Sequence, residues 1–370
     1  MPSKTRETLV RKHFEAQAKS CQAMGSPFTA SLLETAARRL TGDTAVGQKL
    51  LTWAGTPGDD ALSLRFAGGM HWLALSKADE ELADLYRTHT IPGQSPETWE
   101  LIERVMLRHG EALMKFIAGP PQTNEVGRSS VLYGGFLAIA HATGQPLSLR
   151  EIGASAGLNL NWHRYGYAPQ GIDLKWGDLD APVVLRPKWE GPAPKLTRIE
   201  VAESLGCDLN PADHSKISLS GDPESTASDE ANRLLAYVWP DQKERLERMR
   251  GALRMAIEHP PRVERQSAAE WLDKIMPDQR AGCTQVIYHS IVWQYLPSSQ
   301  RLGIKAALDR TAAAATAERP LAWLRMEPSE TGNCAELRLS LWPGNQDVHL
   351  ADADYHGAWV RWFGRELPGR

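Results

Sequence analysis

The sequence has few cysteines, no long apolar run and no block of like charge, and each shortage closes off a class of function. Its four cysteines, Cys21, Cys207, Cys283 and Cys334, stand far apart with no CxxC pair, so neither a disulfide framework nor a metal site such as zinc is indicated. Reduced thiols in a cytoplasmic protein are the expectation. The opening stretch MPSKTRETLVRKHFEAQAKS lacks the apolar centre of a signal peptide, and no segment reaches membrane-spanning length. No membrane role is expected. Lysine and arginine total 42 against 45 aspartates and glutamates, a net charge of −3 without any basic run. That balance leaves no electrostatic footprint for nucleic acid, and a small-molecule or protein substrate becomes the default.

What is present is ordinary for a globular chain. The 370 residues are 42% hydrophobic and 24% charged, enough for two domains or for one large core with an extension. The 13 tryptophans are many, but tryptophan serves cores and interfaces as readily as binding sites.

Periodicity divides the chain. Segments 9–24, 28–40, 61–76, 99–118 and 129–143 carry apolar residues at three- and four-residue spacing and read as helices, broken by turn formers such as Gly25-Ser26-Pro27. After Gln145-Pro146 the pattern changes. Short apolar strands at 147–152, 198–205, 262–267, 284–289 and 321–326 alternate with helices at 156–165, 229–237, 242–258 and 300–315. Strand alternating with helix predicts a parallel sheet covered by helices. A hairpin pattern follows, 335–342 and 347–351 around Pro343-Gly344-Asn345. The expected architecture is α/β: a helical region over 1–121, then a Rossmann-like domain over 122–370 with a C-terminal antiparallel hairpin. One stretch, 167–194, fits neither pattern; rich in proline, glycine and tryptophan, it reads as an ordered excursion, a small β-ribbon that forms a lid or covers a sheet edge.

The motif with most chemistry is the run Leu149-Arg150-Glu151-Ile152-Gly153-Ala154-Ser155-Ala156-Gly157-Leu158-Asn159, in which a strand enters, small residues turn and a helix leaves. Such a turn lets backbone approach a ligand and points amide donors at it. Three chemistries use it. A dinucleotide fingerprint requires glycines at 153, 155 and 158, and Ser155 and Leu158 break that pattern. The GxSxG elbow of serine hydrolases matches at Gly153, Ser155 and Gly157, with His349 or His356 as a base in the required order, yet the strands and oxyanion loop that precede such an elbow are missing. A methyltransferase loop places an acid before alternating glycines; Glu151, Gly153, Ser155 and Gly157 fit it with serine in the middle, and Ala154 and Asn159 complete the loop. The acid matters because S-adenosylmethionine carries an ammonium and a sulfonium, which a carboxylate favours.

The later strands extend that reading. The second ends in Gly206-Cys207-Asp208-Leu209-Asn210-Pro211, where a carboxylate accepts from both hydroxyls of a ribose; turn and cap roles for Asp208 and Asn210 are the competing account. The third ends at Ser267-Ala268, where methyltransferases commonly carry an aspartate to the adenine. The fourth ends in His289-Ser290, followed by Trp293, Gln294 and Tyr295, residues positioned to line an acceptor pocket. His289 is the candidate base, with a satisfied structural histidine as the alternative. Asn124, Glu125 and Arg128, in the polar run QTNEVGRS before the 129–143 helix, either fold back over the glycine loop or cap that helix.

Several of these motifs occur together in a known family. QTNEVGRS, GASAGLNL, GCDLNP, YVWPDQ (237–242), HSIVWQYLP (289–297) and LAWLRMEP (321–328), with GSPF (25–28) further upstream, closely resemble a large bacterial family of uncharacterised proteins known as a domain of unknown function. That resemblance brings no activity. The methyltransferase expectation, with S-adenosylmethionine as cofactor and a small-molecule acceptor, rests on the core pattern alone. A Ser155 hydrolase and a non-catalytic nucleotide-binding protein of the same fold stand beside it.

Overall fold

The computed structural model describes residues 4–91, 93, 95–219 and 227–365. In chain order the first helices are α1 (Lys4–Ala23), α2 (Pro27–Arg39), α3 (Ala45–Leu51), α4 (Leu62–Leu75), α5 (Glu80–Arg87), α6 (Pro96–Arg108) and α7 (Gly110–Ala118). Next come α8 (Ser129–Thr143), β1 (Leu147–Ile152), β2 (Gly166–Tyr167), β3 (Val184–Leu185), β4 (Lys188–Glu190) and β5 (Val201–Asp208). Helices α9 (Asp229–Leu235) and α10 (Lys243–Glu258) precede β6 (Arg262–Arg265), α11 (Ala268–Ile275), β7 (Thr284–Ser290) and α12 (Ser298–Ala313). The last strands are β8 (Leu321–Pro328), β9 (Ala335–Trp342), β10 (Gln346–Ala353) and β11 (Trp359–Trp362).

These elements form two units, one of Met1–Thr123 with Ser215–Arg250 and one of Asn124–His214 with Gly251–Arg370. The helical unit thus extends beyond the expected 1–121 region by borrowing a later segment. Hydrogen bonds show why that segment belongs there. Pro27 occupies the first turn of α2, and the Ser26 hydroxyl caps it by accepting from the Thr29 amide at 3.3 Å. The same hydroxyl donates to Asp241 at 2.6 Å, and the Phe28 amide donates to the other Asp241 oxygen at 2.9 Å. Gln242 adds a bond to the Met24 carbonyl at 2.9 Å. GSPF and YVWPDQ are therefore two halves of one clamp. The expected 99–118 helix is two helices, α6 and α7, which meet at His109; its imidazole lies 3.1 Å from Asp79, the N-cap of α5.

The second unit is built on a nine-stranded sheet of order β4-β11-β10-β9-β8-β7-β1-β5-β6. β6, β5, β1, β7 and β8 run parallel, whereas β8 to β11 form an antiparallel meander. The expected parallel core and antiparallel hairpin are both present. From β1 the chain moves outward to β5 and β6, then returns to lay β7 and β8 on the other side of β1. The order reverses between β1 and β7, and open sheets of this kind bind ligands at the carboxyl ends beside such a reversal.

One sheet face, with Ile152, Cys207 and Ile287, packs on residues of α11 and α12 such as Trp271 and Ile304. The other carries Glu151 and Tyr288. There the Phe136 ring of α8 stacks on Trp162 at 4.2 Å and meets Tyr288 edge-on at 5.2 Å. Trp162 belongs to a 3₁₀ segment, Leu158–Arg164, which stands where a regular helix is expected.

The 167–194 excursion is not a ribbon. β2 and β3 pair in parallel over two residues, and β4 joins β11 at the edge of the large sheet. Its aromatic residues point inward: Tyr167 and Trp176 stack on Tyr133 of α8 at 4.5 and 4.7 Å. Covering the sheet edge and packing on α8 account for its composition.

Candidate functional site

The glycine loop leaves β1 with backbone φ of +67° at Gly153, +54° at Ser155 and +66° at Gly157, the left-handed residues alternating with Ala154 and Ala156. Left-handed geometry costs a non-glycine residue roughly 1–2 kcal/mol, so Ser155 is held by its surroundings. Its amide donates to Asp208 Oδ2 at 2.9 Å, the Ala154 amide to the Cys207 carbonyl at 3.0 Å, and the Leu158 amide to Asn124 Oδ1 at 2.8 Å. The Ser155 hydroxyl, by contrast, is buried and has no hydrogen-bond partner among the described residues. The flanking glycines serve close packing by protein neighbours. A Cβ at Gly153 would come within 2.6 Å of Val292 Cγ2, and one at Gly157 within 2.7 Å of Val263 Cγ2.

Two acids sit at this edge. Asp208, half-buried at the end of β5, accepts from Ser155 through one oxygen and from the Asn210 amide through the other at 2.8 Å. Each carboxylate oxygen keeps a further lone-pair site. Beside it Leu209 is 66% exposed, and the Asn210 side chain accepts from Arg265 at 3.1 Å. Glu151 is deeply buried and accepts from the Tyr288 hydroxyl at 3.3 Å. Burial pushes its carboxyl up to about 8; the Tyr288 bond and the Arg128 charge oppose that, while the Asp208 charge adds to it.

The 124–129 segment lies against the loop. Besides Asn124 on Leu158, Asn159 Nδ2 donates to the Glu125 carbonyl at 3.3 Å and Ser129 donates to Asn159 Oδ1 at 2.7 Å. Glu125 caps the Gly127 amide at 2.9 Å, so folding back and capping occur together. Arg128 bridges the Ser290 and Tyr355 carbonyls, both at 3.1 Å.

At the end of β7, His289 is buried with both ring nitrogens engaged. An indole N–H only donates, so the 3.1 Å bond from Trp323 makes Nε2 the acceptor and leaves the hydrogen on Nδ1, which meets Glu327 at 2.6 Å. The lone pair that a base would use is bound to Trp323, the arrangement of a satisfied structural histidine. After Ser290, Ile291 adopts φ +51°, a strained value for a β-branched residue. Trp293 is half-buried and stacks on His289 at 5.4 Å, whereas Gln294 and Tyr295 are exposed. Ser267 is engaged at the start of α11, its hydroxyl donating to Glu270 at 2.8 Å, and Ala268 is buried. His349 pairs with Asp352 at 2.9 Å and makes no bond to Ser155.

Glu327 escaped the sequence reading, although it obeys the rule that singled out Asp208: an acid closing a parallel strand. It lay inside LAWLRMEP, which the helix–strand pattern presents only as a strand.

A family described as an uncharacterised protein conserved in bacteria, DUF2332, matches residues 11–362. The chain belongs to this family. No curated protein and no solved structure matches it. In this DUF2332 chain the motifs converge on two structures: the Asp241 clamp of the helical unit, and the carboxyl edge where GASAGLNL, GCDLNP, QTNEVGRS, HSIVWQYLP and LAWLRMEP meet. Among the described residues no helix is long and apolar enough to cross a membrane.

Proposed function

We propose that this protein is an S-adenosylmethionine-dependent methyltransferase acting on a small-molecule acceptor, with the nucleoside held beside β1 and β5. One observation carries the reading: Asp208 stands half-exposed at the end of β5, its oxygens oriented by the Ser155 and Asn210 amides, on the strand next to β1, which borders the reversal of strand order. A carboxylate fixed in this way accepts two vicinal hydroxyls without further ordering.

The residues present fit that cofactor. The Ser155 hydroxyl, buried and without a hydrogen-bond partner among the described residues, can both donate and accept, and exposed Leu209 offers an apolar face next to the diol site. A cation bound beside Glu151 favours its ionised form, against the burial that pushes this carboxyl up to about 8. Bound there, S-adenosylmethionine supplies an electrophilic methyl group on sulfur to an acceptor lone pair. The chain's own contribution is to orient and to exclude water, with Gln294 and Tyr295 as acceptor-side residues. His289 serves as a positioning residue.

Calorimetric titration with S-adenosylhomocysteine tests the proposal. Micromolar binding that Asp208→Asn weakens at least tenfold is the expected result, and no heat from a folded sample overturns it. Binding without methyl transfer to any of a broad acceptor panel would instead mark a nucleotide-binding protein. The left-handed Ser155 also favours a second reading, a hydrolase nucleophile on a strand-to-helix turn. Covalent labelling by a fluorophosphonate, lost in Ser155→Ala, would establish that reading.

A further inference from the structure

The glycine loop has a wall, and the residue that sets this wall lies two strands away. Val292 occupies the space that a side chain at Gly153 would need, its Cγ2 within 2.6 Å of that position. Val292 belongs to a turn that begins with left-handed Ile291, a conformation that does not persist in a β-branched residue without external constraint. The constraint comes from β8. Glu327 Oε1 accepts the Val292 amide at 3.1 Å, and both Glu327 oxygens lie 3.3 Å from the Trp293 amide. The carboxylate is itself aimed by His289, whose Nδ1 meets Oε1 at 2.6 Å and whose Nε2 is fixed by Trp323. The Ile291 amide adds a bond to the Met326 carbonyl at 2.8 Å, and Arg128 holds the Ser290 carbonyl from the other side.

We propose that Glu327 is a positioning residue for the glycine-loop site: it locks the turn after β7 so that Val292 closes one side of the loop and Trp293 is presented on the acceptor side. The proposal rests on the methyltransferase reading only for the ligand; the lock itself is a property of the chain. Its logic is electrostatic. A carboxylate gathers two backbone amides and one imidazole N–H, charge-assisted bonds roughly twice as strong as neutral ones. Glutamine in its place keeps one accepting oxygen and turns an N–H₂ toward donors, so the isosteric change loosens the turn without emptying the site.

The experiment uses the full chain and reads two properties. The first is a nuclear Overhauser contact between the Val292 methyls and the Gly153 α-protons, with the Trp323 indole resonance assigned through Trp323→Phe. The contact is present in the wild type; Glu327→Gln weakens it and moves the indole signal, and Glu327→Ala abolishes it. The second is affinity for S-adenosylhomocysteine, reduced at least fivefold in Glu327→Gln with the far-ultraviolet circular dichroism unchanged. An undisturbed Val292–Gly153 contact in Glu327→Gln overturns the lock, whatever the ligand does. A lost contact with unchanged affinity overturns the link to binding. If wild-type protein binds no S-adenosylhomocysteine, the cofactor reading fails while the first measurement still decides the lock.

Discussion

Glu151 and Tyr288 share a buried hydrogen bond of 3.3 Å, and the same hydroxyl lies 3.3 Å from the Asn159 carbonyl, so the acid shares this donor with a backbone oxygen. A carboxyl so poorly solvated keeps its proton. Burial raises its value from 4.5 to about 8, with Asp208 adding to the rise and Tyr288 and Arg128 opposing it. The folded chain therefore holds this proton more tightly than the unfolded chain. Its contribution is complete below 4.5, declines as pH rises, and is gone above about 8. Urea unfolding of the wild type should weaken across that window by at most about 1.4 kcal/mol per pH unit. Glu151→Gln, neutral throughout, should flatten the slope. Equal slopes in the two proteins would show that Glu151 is ionised.

The loop makes predictions of opposite sign at two positions separated by one residue. Ser155→Gly removes a left-handed strain and a buried hydroxyl without a partner among the described residues, and should stabilise the fold by about 1 kcal/mol. Gly153→Ala introduces that strain and drives a methyl into Val292, and should destabilise by about 2 kcal/mol or more. Chemical denaturation of both variants checks the pair. A stabilised Ser155→Gly that no longer binds ligand would assign the hydroxyl to the site.

The parallel strands and the large helices were legible because burial writes itself into periodicity. Leu147–Ile152 and Ser129–Thr143 are buried almost throughout, and their limits are those of the apolar runs. Asp208 was legible because acid, strand end and proline coincide. The helices α3 and α5 are too short to show a period. Glu327 was hidden since its partners, Val292 and His289, are more than thirty residues away in the chain, a separation visible only once β7 and β8 pair. Position 153 shows the remaining ambiguity: a glycine placed for a ligand and one placed for Val292 are identical in sequence.

The Asp241 clamp makes its own prediction. Asp241→Ala leaves the Ser26 hydroxyl and Phe28 amide without their charged acceptor, and Ser26 is fully buried. A loss of about 2–3 kcal/mol is expected in the helical unit, read as a lower thermal midpoint with the Trp53 and Trp99 fluorescence transitions moving together. A shift smaller than about 0.5 kcal/mol, the range of ordinary surface substitutions, would sink the clamp.

Acid lability is expected from a different residue. His71 stacks on Tyr86 at 5.3 Å, and burial lowers its value from 6.5 to about 4, opposed by the Ala236 and Val238 carbonyls. The folded state disfavours protonation, so this stability is complete above 6.5 and is lost as pH falls toward about 4. His163 in the α/β unit is shifted to the same value, again by burial first. His71→Phe should reduce the acid slope without abolishing it, and an unaltered slope would exonerate the ring.

The borrowing of Ser215–Arg250 by the helical unit also has a consequence in time. As the chain leaves the ribosome, the segment before Asn124 emerges first but lacks Asp241, which closes the start of α2. It stays unfinished until residue 250 is out, by which point β1 and β5 have been made. The two units must mature in interleaved order. A fragment ending near residue 121 carries an open helix start that no later synthesis will complete.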